Sequence, residues 1–386
     1  MYAKMKSMKA TLIGTLPPIK GISPYCLELL KSLSKNIEVE FIGFKKLYPD
    51  FLYPGGTKIK DKNYKVPEIK NAEIRNILTY HNPFSWIWCG LSAKGDIIHA
   101  QWWSHVLAPI YLVILSICKI RRKKIVITAH NILPHESNML NNFLNKIILI
   151  FGDKFIVHNN ENKENLSNFY NIPQENISVI PHGILVPVPI KTISKKEARK
   201  YLKIPQNKRV LLHFGNIRDY KGLDILLKSL TFIRKEIKDI ILIIAGRPWK
   251  NWEKYDKIIR NDGILDIVIK KLDFIHPSEV EYYFSASDIV VLPYKYFDSQ
   301  SGVGALALPF KKPLIVTNVG GLPDFVRDKR AIAKPNDPED LARKIIEVLK
   351  NDDLLEKLSK DSEELAKKYN WDEIAEKTVE LYEGLK

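Results

Sequence analysis

The stretch RVLLHFGNIRDYKGLDILLKSL occupies residues 209–230. It begins with a continuous apolar run that ends at Gly215, continues through a polar loop and closes with an amphipathic segment. An apolar run of this kind is typical of a strand that is buried on both faces of a parallel sheet. The segment after the loop is typical of a helix that covers such a sheet. The stretch therefore predicts one strand–helix unit of a doubly wound α/β fold.

The same alternation of apolar runs and helical patterns continues in both directions. The strands predicted in the second half of the chain are 209–215, 239–246, 266–274, 288–294 and 312–318. Those predicted in the first half are 9–16, 37–44, 96–101, 123–130, 153–159 and 177–181. The fold class that this predicts is α/β, with two Rossmann-like doubly wound domains facing a central cleft.

The chain length agrees with two domains, because 386 residues exceed what one hydrophobic core usually serves. The stretch PHGILVPVPIKTISKK at 181–196 is rich in proline and has no period that would bury one face, as is typical of a linker. We therefore expect an N-terminal domain at 1–182, a linker at 183–196 and a C-terminal domain at 197–370.

Composition and charge narrow the functional classes. The net charge of +16 predicts attraction to phosphate-rich ligands, nucleic acid or an anionic membrane. The three cysteines are widely spaced and form no CxxC pair, which argues against a disulfide framework and against a cysteine zinc site. The basic N-terminus has no small-residue cleavage site, so we expect a cytoplasmic protein.

The longest apolar run, 106–117, is too short to span a membrane and precedes the basic stretch KIRRKK at 119–124. One interpretation is a helix that lies peripherally on the inner face of an anionic membrane. The other is a buried crossover helix that ends in a solvated basic turn.

Several common motifs are absent from the sequence. There is no GxGxxG after the first strand, no GxxxxGK[ST] and no HExxH, which argues against dinucleotide dehydrogenases, P-loop NTPases and zinc peptidases. There is also no Asp-x-Asp pair of the kind that many enzymes use to hold a divalent metal. We therefore expect no metal and no cofactor, with any phosphate held by basic side chains and backbone amides.

The first candidate site is the loop GNIRDYKG that follows the strand 209–215. Arg218 and Lys221 lie here, shortly before a predicted helix and after Gly215 and Asn216. Two cations beside a helix N-terminus suit the neutralisation of a diphosphate. The alternative is ordinary solvated surface charge.

The second candidate site is the loop that follows the strand 288–294, within LPYKYFDSQSGVGALALPF. Ser301 and Gly302 precede an apolar helix, where backbone N–H groups can approach an anion closely. The alternative is an ordinary helix N-cap made by Ser299 or Ser301.

Two further candidate sites belong to the first half. In TAHNILPHE, His130 ends a predicted strand and His135 follows it, so His130 could face a ligand or could be a structural histidine. Trp102 lies at the end of HAQWW and could stack on a sugar or fill the core. In GTLPPIKGISPYC, Lys20 and Gly21 form a loop that could admit a phosphate or sugar, or could simply connect strand and helix.

In order along the chain, these segments resemble a retaining, nucleotide-sugar-dependent glycosyltransferase of family 4 with the GT-B fold. The resemblance also includes VIPHG, IIAGRP, FSASDIVVLPY, the Gly-rich stretch as far as NVGGLPDFV, and NWDEIAEKTVELYEGL. It implies an acceptor-side N-terminal domain and a nucleotide-sugar-binding C-terminal domain. It also implies that the terminal helix at 371–386 packs back on the first domain.

The activity implied by the resemblance is metal-independent transfer of a hexose, with retention, from a nucleoside diphosphate sugar to a glycan, lipid-linked or small-molecule acceptor. The implied catalytic residues are Arg218, Lys221, His130 and Asp298. The implied donor-binding residues are Gly215, Asn216, Arg247, Leu272, Phe274, Ile275, Gln300, Ser301, Gly302 and Val303. The implied acceptor or phosphate loop contains Lys20, Gly21, Trp102 and His135.

One departure from the family pattern concerns two glutamates that the family commonly carries with seven residues between them. Counted back from Lys312–Pro313, their positions hold Asp298 and Leu306. Leu306 cannot accept hydrogen bonds from ribose hydroxyls, so we expect another group to hold the ribose.

Two other functions stay open. A nucleotide-sugar epimerase or a phosphorylase of the same fold would use the site without an external acceptor. A non-catalytic binder of RNA or of an anionic membrane would be drawn by the net charge of +16. No RNA-binding motif is present, so nucleic acid is not expected as a partner.

Overall fold

The computed structural model describes residues 8–19, 21–48, 66–132, 139–184, 193–249, 251–297 and 301–385. The chain divides into two compact units. The first unit is Met1–Gly183 together with Asn370–Lys386, and the second is Ile184–Tyr369. The division therefore falls at the start of the proline-rich stretch, and the chain returns to the first unit for its final helix.

The first unit contains a seven-stranded sheet in which every pair of neighbouring strands is parallel. Its strands are β1 (Lys9–Gly14), β2 (Glu38–Lys46), β3 (Ala72–Thr79), β4 (Ile97–Trp102), β5 (Lys124–Ala129), β6 (Lys154–Val157) and β7 (Ile177–Val179). Their spatial order is β3-β2-β1-β4-β5-β6-β7. All six strands predicted in this half are present, and β3 is an additional edge strand whose polar residues hide it from the sequence pattern.

Among the described residues of the first unit, six helices connect or cover these strands. They are α1 (Ser23–Leu33), α2 (Pro83–Ser92), α3 (Ala108–Ile120), α4 (Met139–Leu149), α5 (Asn160–Tyr170) and, from the C-terminal segment, the helix Trp371–Glu383. That last helix packs on α1, where Asp372 accepts a hydrogen bond from Ser32 Oγ at 3.1 Å and pairs with Lys35 at 2.6 Å.

The second unit repeats the same architecture with six parallel strands. They are β8 (Arg209–Phe214), β9 (Ile240–Ala245), β10 (Val268–Lys271), β11 (Ile289–Leu292), β12 (Leu314–Thr317) and β13 (Ile332–Ala333), in the order β10-β9-β8-β11-β12-β13. Its helices are α6 (Lys195–Tyr201), α7 (Leu223–Glu236), α8 (Glu253–Asn261), α9 (Val280–Ala286), α10 (Gly302–Ala307), α11 (Pro338–Lys350) and α12 (Asp352–Lys368). The helix Trp371–Glu383 of the first unit is accordingly α13. The predicted α/β fold is confirmed in both units.

In each sheet the strand order reverses beside the first strand of the unit. The reversal lies between β1 and β4 in the first unit and between β8 and β11 in the second. Ligands of doubly wound folds bind outside the carboxyl ends of the strands at this point. The topology therefore marks the loops after β8 and β11, and those after β1 and β4, as the places to look for a site.

Helix α3, which covers most of the apolar run 106–117, serves as a crossover helix. One face is buried, through Ile110, Tyr111, Ile114 and Leu115. The turn after it is partly engaged within the unit, because Lys123 lies 3.6 Å from Asp96. This arrangement matches the crossover interpretation of the run. No helix among the described residues is long and apolar enough to span a membrane.

Candidate functional site

In the second unit, the loop that follows β8 is held against the end of β11. Gly222 has φ +67, and a Cβ added there would lie 1.8 Å from the carbonyl oxygen of Pro293. The Lys295 amide also donates a hydrogen bond to the Tyr220 carbonyl at 2.7 Å. Only glycine fits at position 222, so the loop that carries Arg218 and Lys221 has one fixed path across the point where the strand order reverses.

Lys221 is the cation at the centre of this site. Its side chain is only 8% exposed, and its Nζ lies 5.8 Å from the centroid of the Tyr294 ring. Burial, with a smaller contribution from the charge of Arg218, lowers the pKa of Lys221 to about 8. A desolvated ammonium gains more from a neighbouring anion than an exposed one does.

Arg218 is held in a different way. Its guanidinium carbon lies 4.2 Å from the ring centroid of Trp249, which is itself 61% exposed. The loop bearing Trp249 is fixed by the Ile217 amide, which donates to the Arg247 carbonyl, and by the Trp249 amide, which donates to the Ile217 carbonyl, each at 2.9 Å. Stacking on an aromatic ring orients a guanidinium while leaving its N–H groups for a ligand.

Helix α10 lies on the other side of Gly215. Gly215 has φ +90, and a Cβ built on it would lie 3.1 Å from Val303 Cγ2 and 3.3 Å from Lys221 Nζ. A Cβ built on Gly302 would meet no atom within 4 Å, so the backbone there is open. Gly215, Lys221, Gly302 and Val303 are thus brought together at one place.

Ser301 acts as the N-cap of α10, as its alternative interpretation expects. Its Oγ accepts from the Gly304 amide at 3.2 Å and is hydrogen-bonded to the Tyr294 hydroxyl at 3.0 Å. The side chain is therefore engaged inside the unit. The amides of Gly302 and Val303, which begin the helix, have no carbonyl of a preceding turn to bind.

The remaining donor-side predictions fall into two groups. Asn216 and Arg247 are exposed beside Gly215, at the ends of the adjacent strands β8 and β9. In the loop after β10, Phe274 is 71% exposed, whereas Leu272 packs on the core. Ile275 is 7% exposed, and its side chain belongs to the core.

The position of Leu306 accounts for its apolar character. The side chain is 8% exposed and belongs to the hydrophobic core around α9, α10 and β11. A carboxylate buried there would need a charged or hydrogen-bonding partner.

Four other predicted site residues, Lys20, His135, Asp298 and Gln300, lie outside the described residues.

In the first unit, the loop after β1 leads into α1. Gly21 has φ +95, and a Cβ built on it would meet no atom within 4 Å, so this backbone is open. The loop is closed on itself by a hydrogen bond from Ser23 Oγ to Thr15 Oγ1 at 2.9 Å.

Trp102 is not accessible from this edge, because it is 1% exposed and its indole N–H donates to Asn145 at 3.1 Å. The expectation that Trp102 stacks on a sugar is wrong, and the core-filling alternative holds.

His130 belongs to a buried hydrogen-bond network that the sequence analysis missed. Its Nε2 lies 2.8 Å from the Gln101 side-chain amide, and its Nδ1 lies 3.1 Å from His158 Nε2. His158 Nδ1 lies 3.0 Å from the Ile180 carbonyl, which can only accept. His158 Nδ1 therefore donates to that carbonyl.

The network extends to the C-terminal helix through His99. Its Nδ1 lies 2.6 Å from the Tyr382 hydroxyl and its Nε2 lies 2.6 Å from Thr128 Oγ1. Burial lowers the pKa of His99 to about 3 and that of His158 to about 3, and it also lowers the pKa of His130. These imidazoles are therefore neutral at physiological pH and act as dipoles.

Some residues could have been found from the sequence, and others could not. Gln101 follows His99 by two residues and therefore points to the same face of β4, which is a usable signal. His158 and Tyr382 are remote in sequence, and Trp249 is an exposed aromatic with no motif around it. Among the described residues, no three His, Cys, Asp or Glu side chains are grouped as a metal site would require.

Two protein-family models match the chain. Residues 19–185 match the model described as Glycosyltransferase Family 4. Residues 194–365 match the model described as Glycosyl transferases group 1. One match falls in each unit.

Curated relatives match at low identity. D-inositol 3-phosphate glycosyltransferase of Nocardioides sp. is 23% identical over 246 residues, which cover 60% of this chain and 53% of that protein. Spore coat protein SA of Bacillus subtilis is 24% identical over 198 residues, which cover 49% of this chain and 52% of that protein. The chain thus spans about half the length of the curated relatives it matches.

Solved structures match over nearly the whole chain. Sucrose-phosphate synthase of Thermosynechococcus elongatus has a TM-score of 0.70 at 18% identity, covering 98% of this chain and 99% of that one. HepE of Anabaena in complex with UDP has a TM-score of 0.73 at 16% identity, covering 98% and 100%. At such identities the likeness establishes the fold, which is GT-B. With a family match in each unit, the chain belongs to the glycosyltransferases, its first unit to Glycosyltransferase Family 4 and its second to glycosyl transferases group 1.

Proposed function

We propose that the protein transfers a hexose from a nucleoside diphosphate sugar to a hydroxyl group of an acceptor, with retention and without a metal. The acceptor classes are those that the sequence implied: a glycan, a lipid-linked sugar or a small molecule. The observation that carries the proposal is the convergence of Lys221, Arg218 and the open amides of α10 at the carboxyl ends of β8 and β11.

The proposed role of the two cations is to stabilise the diphosphate as it leaves. In the transition state, negative charge builds up on the oxygen that bonded the sugar. Lys221 is buried and Arg218 is pre-oriented on Trp249, so neither needs to reorganise as that charge appears. The amides of Gly302 and Val303 would bind the phosphates from the side of α10.

In the proposed reaction, the acceptor oxygen forms a bond to the anomeric carbon on the face from which the diphosphate departs. The bond between that carbon and the phosphate oxygen breaks, and its electron pair goes to the diphosphate. The acceptor proton passes to a β-phosphate oxygen. No side chain is then needed as a nucleophile, in contrast to the two-carboxylate chemistry of retaining glycosidases.

The choice of donor class has independent support. The Anabaena protein HepE, which shares the fold, has been solved with UDP and with UDP-glucose. In this chain Arg247 and Phe274 lie exposed in loops at the carboxyl ends of β9 and β10, on the same edge of the sheet as Lys221. We propose that these loops hold the nucleoside.

Retention can be tested without knowing the acceptor. We expect the purified protein to release glucose slowly from UDP-glucose, with water in place of the acceptor. Proton NMR of the fresh product should show the α-anomer first, because UDP-glucose is α-linked, and EDTA should not change the rate. The Lys221→Ala variant is the negative control, since contaminating hydrolase activity would survive it.

Release of the β-anomer first would contradict retention. Release that stops in EDTA and returns with magnesium would contradict the metal-independent reaction. If no glucose is released from UDP-glucose, the experiment is repeated with another α-linked nucleotide sugar that binds the protein.

A further inference from the structure

Helix α2 (PFSWIWCGLS) exposes an apolar face. Phe84, Ile87, Trp88 and Leu91 are 80%, 40%, 59% and 52% exposed. Their spacing of three, four and seven residues places all four on one side of the helix. The helix contains no charged residue. This reverses the usual pattern of a surface helix, in which the exposed side is polar.

The opposite side of α2 is already packed within the first unit. Cys89 is buried, and a Cβ built on Gly90 would lie 2.8 Å from Ile117 Cβ of α3. The core of the unit therefore uses one side of α2 and leaves the other without a described partner. Clusters of exposed apolar side chains of this kind mark interaction surfaces.

A basic turn lies at the C-terminal end of α2. Arg121 Nη1 donates to the carbonyls of Gly90 at 2.7 Å and Ala93 at 3.1 Å, so the turn after α3 is fastened to the end of α2. Arg122 and Lys124 follow, and both are exposed. Ile120 lies one turn beyond Ile117 on α3 and is 81% exposed.

We propose that this surface binds an anionic lipid bilayer. The α2 surface, defined as Phe84, Ile87, Trp88, Leu91 and Ile120, would enter the boundary between headgroups and acyl chains. The basic turn 121–124 would lie on the anionic headgroups. An apolar face that contains tryptophan and is flanked by arginine and lysine is the chemistry of a helix that lies in the membrane interface.

Charge decides between a bilayer and a second copy of this chain as the occupant. The net charge of +16 opposes self-association and favours an anionic surface. Cations close to such a surface each strengthen binding by roughly fivefold at low salt. The acidic neighbours Asp96 and Asp153 are already paired with Lys123 and Lys119, which leaves Arg122 and Lys124 to face the lipid.

The position of α2 gives this surface a consequence for the acceptor, a step that rests on the proposed function. The helix starts after β3, at the carboxyl edge of the sheet, and ends before β4, at the opposite edge. Phe84 therefore lies toward the edge that carries the Gly21 loop. A lipid-linked acceptor could stay in the bilayer along α2 while its hydroxyl group reaches that edge.

The test is flotation of the whole protein with vesicles. We expect flotation with vesicles of phosphatidylcholine mixed with phosphatidylglycerol at low salt, and weak flotation with phosphatidylcholine alone. The double variant Phe84→Ser, Trp88→Ser should lower the partition coefficient at least about tenfold, because it removes the two largest inserted side chains. The double variant Arg122→Gln, Lys124→Gln should lower it by roughly 25-fold at low salt and by little at high salt.

Matched controls separate this surface from general stickiness. The double variant Ile150→Ser, Phe169→Ser removes two side chains of the same unit that are 73% and 61% exposed, and it should float as the wild type does. Lys235→Gln with Lys238→Gln removes the same charge from the second unit and should have little effect. All variants should keep the wild-type melting temperature, since the substituted side chains are exposed.

Failure of the wild type to float with anionic vesicles would overturn the proposal, as would flotation indifferent to the α2 variants. A dimer in solution that Phe84→Ser, Trp88→Ser dissociates would overturn it in favour of a second copy. Because flotation needs no nucleotide sugar, these outcomes leave the proposed glycosyl transfer to be judged by its own experiments.

Discussion

Replacing Lys221 with alanine is expected to lower hexose transfer at least about tenfold, and up to about 150-fold, because a charge-assisted phosphate contact contributes roughly 1.5 to 3 kcal/mol. Arg218→Ala is expected to have an effect in the same range. The loss should appear mainly in kcat/KM, measured with the nucleotide sugar as the varied substrate. It should be accompanied by weaker binding of the nucleoside diphosphate.

The affinity for the donor should also depend on pH, because the charge of Lys221 does. Burial lowers the pKa of Lys221 to about 8 in the free protein. Below that pH the side chain is charged and attracts the diphosphate, and above it the charge is lost. Donor affinity should therefore fall as the pH rises through about 8, with a slope approaching tenfold per pH unit. Lys221→Arg should retain part of the affinity and flatten this slope, because arginine stays charged.

A matched control is Lys238→Ala, which removes an exposed lysine of the same unit. It should leave transfer and donor affinity unchanged. If the Lys221→Ala and Arg218→Ala proteins both fold and both transfer hexose at the normal rate, the proposed binding of the diphosphate beside these residues is wrong.

Mild acid is expected to destabilise the first unit strongly. Burial holds the pKa of His99 and of His158 at about 3 and also lowers that of His130, whereas the unfolded chain has histidine pKa values near 6.5. Between these values the unfolded state binds more protons than the folded state. Stability is therefore complete above about pH 6.5 and is lost as the pH falls below it, by about 4 kcal/mol per pH unit from these three groups. His182 of the same unit, whose pKa burial also lowers, adds to the loss.

Hydrogen exchange followed by mass spectrometry can measure this, after correction for the pH dependence of intrinsic exchange. Protection of β4 and β5, which carry or precede His99 and His130, should fall more steeply with acid than protection of β9, because the second unit holds one such histidine, His213, and the first holds several. His158→Gln should reduce the slope by about one proton, and His81→Gln, at an exposed position, should not. Equal slopes in the two units would refute the assignment of neutral buried imidazoles.

The fold could be predicted from sequence because its central strands are buried on both faces. β9, for example, is a continuous apolar run, and β4 is buried along its whole length although it carries His99 and Gln101. β3 escaped prediction since it lies at the sheet edge and is only partly buried, with Glu73, Arg75 and Asn76 in its middle. β13 escaped because it is two residues long.

The site was predictable where its residues are local in sequence. Gly215, Arg218 and Lys221 share one loop, so strand, loop and helix N-terminus can be read together. The partners that hold them come from other strands, as Trp249 does after β9. The side chain of Trp102 could not be placed. At the end of a strand one residue packs into the core and its neighbour faces the solvent, and the sequence does not say which of the two tryptophans, Trp102 or Trp103, is buried.

The exposed face of helix α2 could not be predicted from the sequence either. Its composition is that of a core helix, and its apolar residues occupy all sides. Only the packing of Gly90 against Ile117 reveals which side is buried and which side remains exposed. The sequence pattern therefore pointed to the run 106–117 as the candidate membrane-binding helix, whereas the proposed bilayer surface lies mainly on α2.

The central claim is that a nucleoside diphosphate binds beside Lys221 and Arg218, and thermal unfolding in the presence of nucleotides tests it most directly. Ligand that binds only the folded protein raises Tm, by an amount that corresponds to about 2.7 kcal/mol at a hundredfold excess over Kd. The account predicts that one of UDP, GDP or ADP, and the matching nucleotide sugars, raises Tm selectively. The rise should be the same in EDTA and absent in Lys221→Ala. No rise with any nucleotide, or an equal rise in Lys221→Ala, would contradict the account.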